Sequence, residues 1–227
     1  MAKVTCNLFD CFLCQHCMTE WRPLIGLNKE TKMVRKGKTI FKEGDPVEGI
    51  YFMYTGWVKI HKEWTHPKEL ILRFAGAGEI IGHRGLGDNR TYPVSATALE
   101  DSTVCFVSEA FLESCLRTNP TLTYRLMQFY AAELQRAEKR IRDLVHMETK
   151  GRIAWALLEM NDKFGTNREG NISMPVSRQD IASYAGTTYE TLFKLFNEMK
   201  KEKIISTSGK FIKIKSETKL HHLLKMK

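Results

Sequence analysis

No stretch of this chain is apolar for the ~18–20 residues that cross a bilayer. Nor does its N-terminus show a basic segment leading into an apolar core of about 7–15 residues. The reading is a cytoplasmic protein with no membrane partner. Enzyme motifs are also missing: there is no P-loop, no dinucleotide glycine fingerprint and no nucleophile elbow, and the seven histidines form no zinc-protease pair. An enzyme is not expected. Proline is scarce, 6 in 227 residues, and between Pro120 and Met147 there is neither a further proline nor a glycine, which leaves room for one long helix.

Positive charge is plentiful. The net charge is +9, and residues 151–227 hold 14 Lys/Arg against 8 Asp/Glu, whereas the first 150 carry 21 against 18. The excess of +6 in the last third favours an anionic partner there.

Cysteine is concentrated. Four of the six lie in "CNLFDCFLCQHC", residues 6–17. In a reducing compartment such a cluster points to metal or redox chemistry before disulfides. Cys11, Cys14 and Cys17 follow C-x2-C-x2-C, a spacing that lets a short loop wrap one corner of an iron–sulfur cube. Zinc held by four cysteines or by three with His16 stays open, as do a thiol redox switch and inert thiols. Cys115 reads as a small apolar core residue.

Residues 33–107 read as short strands ("YFMY", "WVKIHKEW", "ELILRF", "STVCFV") divided by glycine-bearing turns, which predicts an antiparallel barrel or jelly roll. The stretch 120–147 then shows Leu122, Leu126, Phe129, Leu134, Ala137, Ile141, Leu144 and Val145 mostly three or four apart, predicting a single apolar stripe on one long helix. A parallel copy of itself is the economical cover, with packing on its own domain as the alternative.

The last third reads as helix, helix, helix and hairpin. Ser177 with Asp180 resembles a capping box, Gly186 a helix stop, and Ser208–Gly209 a hairpin turn. Two helices about a glycine turn followed by a β-wing form a winged helix-turn-helix. On the second of them, Leu192, Leu195, Phe196 and Met199 should face inward. Tyr189, Glu190, Phe193, Lys194 and Asn197 are left facing out. Glu190 can accept from cytosine N4, Lys194 can donate to guanine, and Phe193 can either touch a thymine methyl or pack beneath Tyr189. Thr187 and Thr188 are placed for phosphate. Ser177, Arg178 and Lys210 of the wing complete the candidate double-stranded DNA contacts.

With these parts in place the sequence resembles the CRP/FNR family of bacterial transcription regulators over about residues 20–220. The resemblance is carried by "FKEGDPVEGIYFMYTGWVKI", "GEIIG", "ATALEDSTVCFVSEAF" and "SRQDIASYAGTTYETLFKLFNEMKKEKIISTSGKFIKI". It implies an α+β protein: a cysteine-rich segment at 1–19, an antiparallel, cyclic-nucleotide-binding-like β-roll (a jelly roll) at 20–119, a dimerisation helix at 120–148 and a winged helix-turn-helix at 149–227. It also implies a homodimer whose recognition helices enter successive major grooves, and RNA polymerase as a partner. This chain departs from the family at Phe193, where a small residue is usual, and at Lys194, where an arginine is usual.

Members that bind cyclic nucleotides share a carboxylate where this chain has His83. Arg90 and Thr91 match their phosphate pair, so these three are the ligand-pocket candidates. The oxygen-sensing branch instead joins N-terminal cysteines to one in the β-roll, which is Cys105 here. The resemblance therefore implies a [4Fe–4S] cluster on Cys11, Cys14, Cys17 and Cys105, with Cys6 as alternate ligand, and a signal of oxygen, nitric oxide or redox state. The alternatives are a small-molecule or cyclic-nucleotide ligand in the β-roll, with the cysteines binding zinc or acting as a thiol switch. A cyclic-nucleotide-binding subunit whose C-terminal domain contacts a protein is the reading without DNA.

Overall fold

A computed structural model describes residues 11–65 and 68–225. They form two compact units, one ending at Leu134 and one beginning at Gln135.

The first unit opens with α1 (Phe12–His16) and α2 (Arg22–Asn28). The strands follow: β1 (Lys29–Val34), β2 (Thr39–Phe41), β3 (Gly49–Thr55), β4 (Val58–Thr65), β5 (Lys68–Ala75), β6 (Ile80–Ile81), β7 (Ser95–Ala98) and β8 (Ser102–Ser108). They make two antiparallel four-stranded sheets, ordered β1-β8-β3-β6 and β2-β7-β4-β5. This is the expected β-roll. Helices α3 (Glu109–Thr118) and α4 (Pro120–His146) follow.

Strand alternation sorts the side chains of β3 and β8 to opposite faces. Tyr51, Met53, Val104 and Phe106 fill the space between the sheets with Phe41, Tyr92 and their neighbours. Ile50, Phe52, Cys105 and Val107 turn the other way, into a second core shared with α1, α3 and the start of α4. Both cores are aromatic-rich: in the first, Phe41 and Tyr92 stack with centroids 4.2 Å apart.

The long helix departs from its expected single stripe. Leu122 and Leu126 are buried and Phe129 half-buried, whereas Leu134, Ile141 and Val145 are exposed. Exposed Tyr124 and Met127 continue the outer row, so Tyr124, Met127, Ala131, Leu134, Glu138, Ile141 and Val145 recur every three and four residues. Steps of three and four from Leu122 instead run through Phe129 and Glu133, and Arg140 and Leu144 are also half-buried further along. The helix thus has two faces, and charged residues inside one of them hid the division.

The second unit takes the C-terminal part of α4, then α5 (Thr149–Phe164), α6 (Arg178–Ala185), α7 (Tyr189–Lys201), the hairpin β9 (Ile205–Ser208) and β10 (Phe211–Ile214), and α8 (Glu217–Leu223). Ile153, Leu157, Met160, Ile181, Leu192, Phe196 and Met199 make its core.

Candidate DNA-recognition surface and cysteine cluster

The start of α6 is capped as its sequence predicts: the Ser177 hydroxyl accepts from the Asp180 N–H at 3.0 Å. Gly186 ends the helix in the left-handed region, φ 63°, which a side chain would resist. Arg152 holds this turn by donating to the carbonyls of Ala185 and Gly186 at 3.1 and 3.3 Å. Thr188 then caps α7, its hydroxyl accepting from the Thr191 N–H at 3.2 Å.

Packing fixes which face of α7 is free. Leu192, Phe196 and Met199 are buried and Leu195 half-buried. Tyr189, Glu190, Phe193 and Lys194 are exposed together near the N-terminal end, with Asn197 half-buried beside them. Hydrogen bonds from its own backbone N–H and from the Thr188 hydroxyl hold the Glu190 carboxyl below its ordinary range, so it is an acceptor at neutral pH. A concavity of about 200 Å³ separates α7 from the hairpin and is lined by Arg178, Phe193, Asn197, Lys200 and Gly209, among others. Arg178 donates to the Gly209 carbonyl at 3.3 Å and lies over the Phe196 ring, tying the start of α6 to the hairpin turn. Thr187, half-buried, donates its N–H to Ala182. Lys210 is exposed at the hairpin tip. An exposed helix end bearing donors, an acceptor and cations beside a basic hairpin can dock on a duplex.

The cysteines come together in the first unit. Cys11, Cys14, Cys17, Cys105 and Cys115 are all buried and part of one core cluster. Cys105 pairs across the sheet with Thr31 on one side and Phe52 on the other. The N-terminal segment is fastened by the Phe12 N–H donating to the Gly78 carbonyl at 3.0 Å and by the edge of Phe12 against Phe129 of α4. The Cys17 thiol contacts the Cys14 carbonyl at 3.7 Å. Burial raises its pKa against the opposing charge of Arg22. Cys6 lies outside the described residues. Among the described residues no three Cys, His, Asp or Glu side chains stand close enough to hold a metal ion. Cys115 has the apolar surroundings its sequence predicts, and it also stands near Cys17, which helps raise its own thiol to about 11 after burial.

His83, Arg90 and Thr91 are not gathered into one pocket. Arg90 is turned outward and pairs with Glu109, and Thr91 bridges to Pro46. His83 is 2% exposed and wedged edge-on between Phe129 and Tyr130, ring centroids 4.9 and 5.6 Å away. Neither ring nitrogen makes a well-formed hydrogen bond. Burial, helped by the Arg73 charge and opposed by Glu133, pushes its imidazole down to about 3. Glu133 was not singled out from sequence. Its carboxylate lies 3.1 Å from Arg84, 3.7 Å from Arg73 and 3.9 Å from His83. The signal for it was positional: an acid four residues after Phe129 on the row that begins with Leu122 and Leu126.

A cyclic nucleotide-binding domain model matches residues 31–119, and a Crp-like helix-turn-helix domain model matches residues 151–223. The chain belongs to the CRP/FNR family of transcription regulators. It is a DNA-binding regulator and not an enzyme. The Fumarate and nitrate reduction regulatory protein of Vibrio cholerae is 28% identical over 224 residues, 94% of this chain and 88% of that one. The Anaerobic regulatory protein of Bacillus subtilis is 28% identical over 186 residues, 80% of this chain and 78% of its own. Among solved structures, FixK2 of Bradyrhizobium japonicum is 28% identical with a TM-score of 0.75, covering 86% of this chain and 96% of its own. No helix among the described residues of this CRP/FNR regulator is long and apolar enough to cross a membrane.

Proposed function

We propose that this regulator senses oxygen, nitric oxide or redox state through a [4Fe–4S] cluster held by Cys11, Cys14, Cys17 and Cys105. It works as a homodimer paired along α4, docks two copies of α7 on a near-palindromic site and engages RNA polymerase there. The observation that carries the reading is convergence. Three thiols on one short segment and a fourth some 90 residues away share a single buried cluster. The relatives named for fumarate and nitrate reduction and for anaerobic regulation support the same direction.

The donor set fits in type and number: four buried cysteines, with Phe12 and Phe129 packed against their cluster. Zinc would draw its four ligands onto one ion at about 2.0–2.3 Å from each. A cubane spreads its thiolates over separate irons. When bound, such a cluster supplies reactivity towards oxygen and nitric oxide.

The chain's own residues connect that site to DNA. Phe12 docks on Phe129, and Leu126 and Leu122 lie in the same core. The segment at 11–17 thus covers the start of the inner face of α4, from Leu122 to Phe129, while the outer face of that helix pairs with its twin. Release of the segment would uncover the inner face, loosen the pair and lower DNA affinity.

Protein purified without oxygen is expected to carry roughly four irons and four sulfides per chain, and Cys105→Ala to lose both and the oxygen response of DNA binding. About one zinc per chain, no iron, or a Cys105→Ala variant that keeps its cluster would overturn the reading.

A further inference from the structure

An exposed phenylalanine is expensive to leave in water, and this chain keeps one on its recognition helix. Phe193 is 58% exposed, and Tyr189, one turn earlier, is 42% exposed. Their rings run nearly parallel, 20° apart with centroids separated by 6.4 Å. Side chains on a helix lean toward its N-terminus, so Phe193 leans over the Tyr189 ring, toward the end of α7 that enters the groove. Sequence alone left two readings, a ring tucked beneath Tyr189 or a ring free to touch a base. The structure combines them: the ring packs in part against Tyr189 and still keeps more than half of its surface exposed. Core packing does not account for it, since Leu192, Phe196 and Met199 already fill the inner face.

The surroundings narrow the occupant. Lys194, Lys200 and Arg178 flank the aromatic pair, and Glu190 on the same face is held ionised. Cations around the patch suit a polyanion, and a flat apolar plate among them needs an apolar element on that polyanion. In the major groove of DNA the one apolar element on a base edge is the thymine C5-methyl.

Resting on the DNA-binding function, we infer that Phe193 selects a thymine in each half-site by covering its C5-methyl, with Tyr189 holding the ring in place. Glu190 and Lys194 supply the hydrogen-bonded part of the readout. Phe193 is thus a specificity-determining residue, and the preferred half-site of this protein contains a thymine whose methyl group carries affinity.

Deoxyuridine differs from thymidine by that methyl alone and leaves base pairing intact. The full chain is first used to select its binding site from random duplexes. Each thymine of the selected half-site is then replaced by deoxyuridine, and affinity is measured by fluorescence anisotropy at fixed salt. One position is expected to lose affinity about fourfold per half-site, the worth of burying one methyl group, and about fifteenfold when both half-sites are changed. The Phe193→Ala protein should bind thymine and deoxyuridine duplexes equally, and Tyr189→Ala should lose part of the discrimination. Because Phe193 is exposed, its replacement leaves the core packing untouched, and unchanged thermal unfolding checks this.

A half-site without thymine, indifference to every deoxyuridine, or undiminished discrimination in Phe193→Ala would each overturn the inference while leaving sequence-selective binding in place. Failure to select any duplex would instead overturn the DNA-binding function itself. The two failures are distinct.

Discussion

Replacing Ile141 by alanine is expected to weaken the homodimer on the order of 100-fold without unfolding either chain. Ile141 is 62% exposed in the single chain and sits in the outer row with Leu134 and Val145, themselves 61% and 70% exposed. The substitution removes three carbons, each worth about 0.8 kcal/mol when fully buried, and about six-tenths of that area awaits a partner. This gives about 1.5 kcal/mol per chain and about 3 kcal/mol for the symmetric pair, which corresponds to two powers of ten in Kd. Alanine favours helix at least as well as isoleucine, so α4 itself persists. Sedimentation equilibrium over a concentration series measures the shift, and DNA binding at low protein concentration should fall in parallel. Lys139→Ala, on the exposed face beside that row, is the control and should move the constant little. An Ile141→Ala dimer within threefold of the natural one, or a control that shifts as far, would refute the argument that this row is the dimer seam.

Two further outcomes concern stability. The His83 imidazole is held at about 3, against 6.5 for the free group, so the fold keeps it neutral while the unfolded chain takes up a proton. Stability should therefore fall as pH drops from about 6.5 towards 3, and His83→Phe, which suits the slot beside Phe129, should flatten that slope in urea titrations run between pH 7 and 4.5; an unchanged slope would place the proton uptake elsewhere. Gly186→Ala should cost about 1–2 kcal/mol through its left-handed backbone alone. The new Cβ would also meet the Leu144 Cδ2 at 2.7 Å, so a melting temperature equal to the natural protein's would contradict the observed turn.

Local chemistry explains what the sequence disclosed. Ser177, Asp180 and Gly186 act within a few residues of themselves, so the start of α6 and the turn into α7 could be read directly. So could the buried face of α7, whose Leu192, Phe196 and Met199 keep one helical phase. The β-roll was legible as alternation and turns, but β1 was not, because its alternating polar residues (Lys-Glu-Thr-Lys) lack the apolar rhythm of the central strands. The two faces of α4 escaped because Glu133 and Arg140 occupy inward positions, where their charges find partners from other elements: Arg84 for the first, the Tyr184 carbonyl and the Trp155 ring for the second. A linear pattern carries no record of such partners. The same holds for His83, whose neighbours come from the sheet and from α4. The proximity of Cys115 to Cys17 was likewise invisible, although its burial was not.

The pairing of β8 with both β1 and β3 sets a timetable for the cysteine site. Cys14 leaves the ribosome about 90 residues ahead of Cys105, a delay of roughly 5–18 s at common rates of synthesis. During that interval the segment holding Cys11, Cys14 and Cys17 lacks the strand that bears Cys105 and joins β1 to β3. The last strand of the roll therefore brings Cys105 to the N-terminal cysteines as it pairs with β1 and β3. A newborn chain thus passes through a state in which its N-terminal thiols have not yet met Cys105.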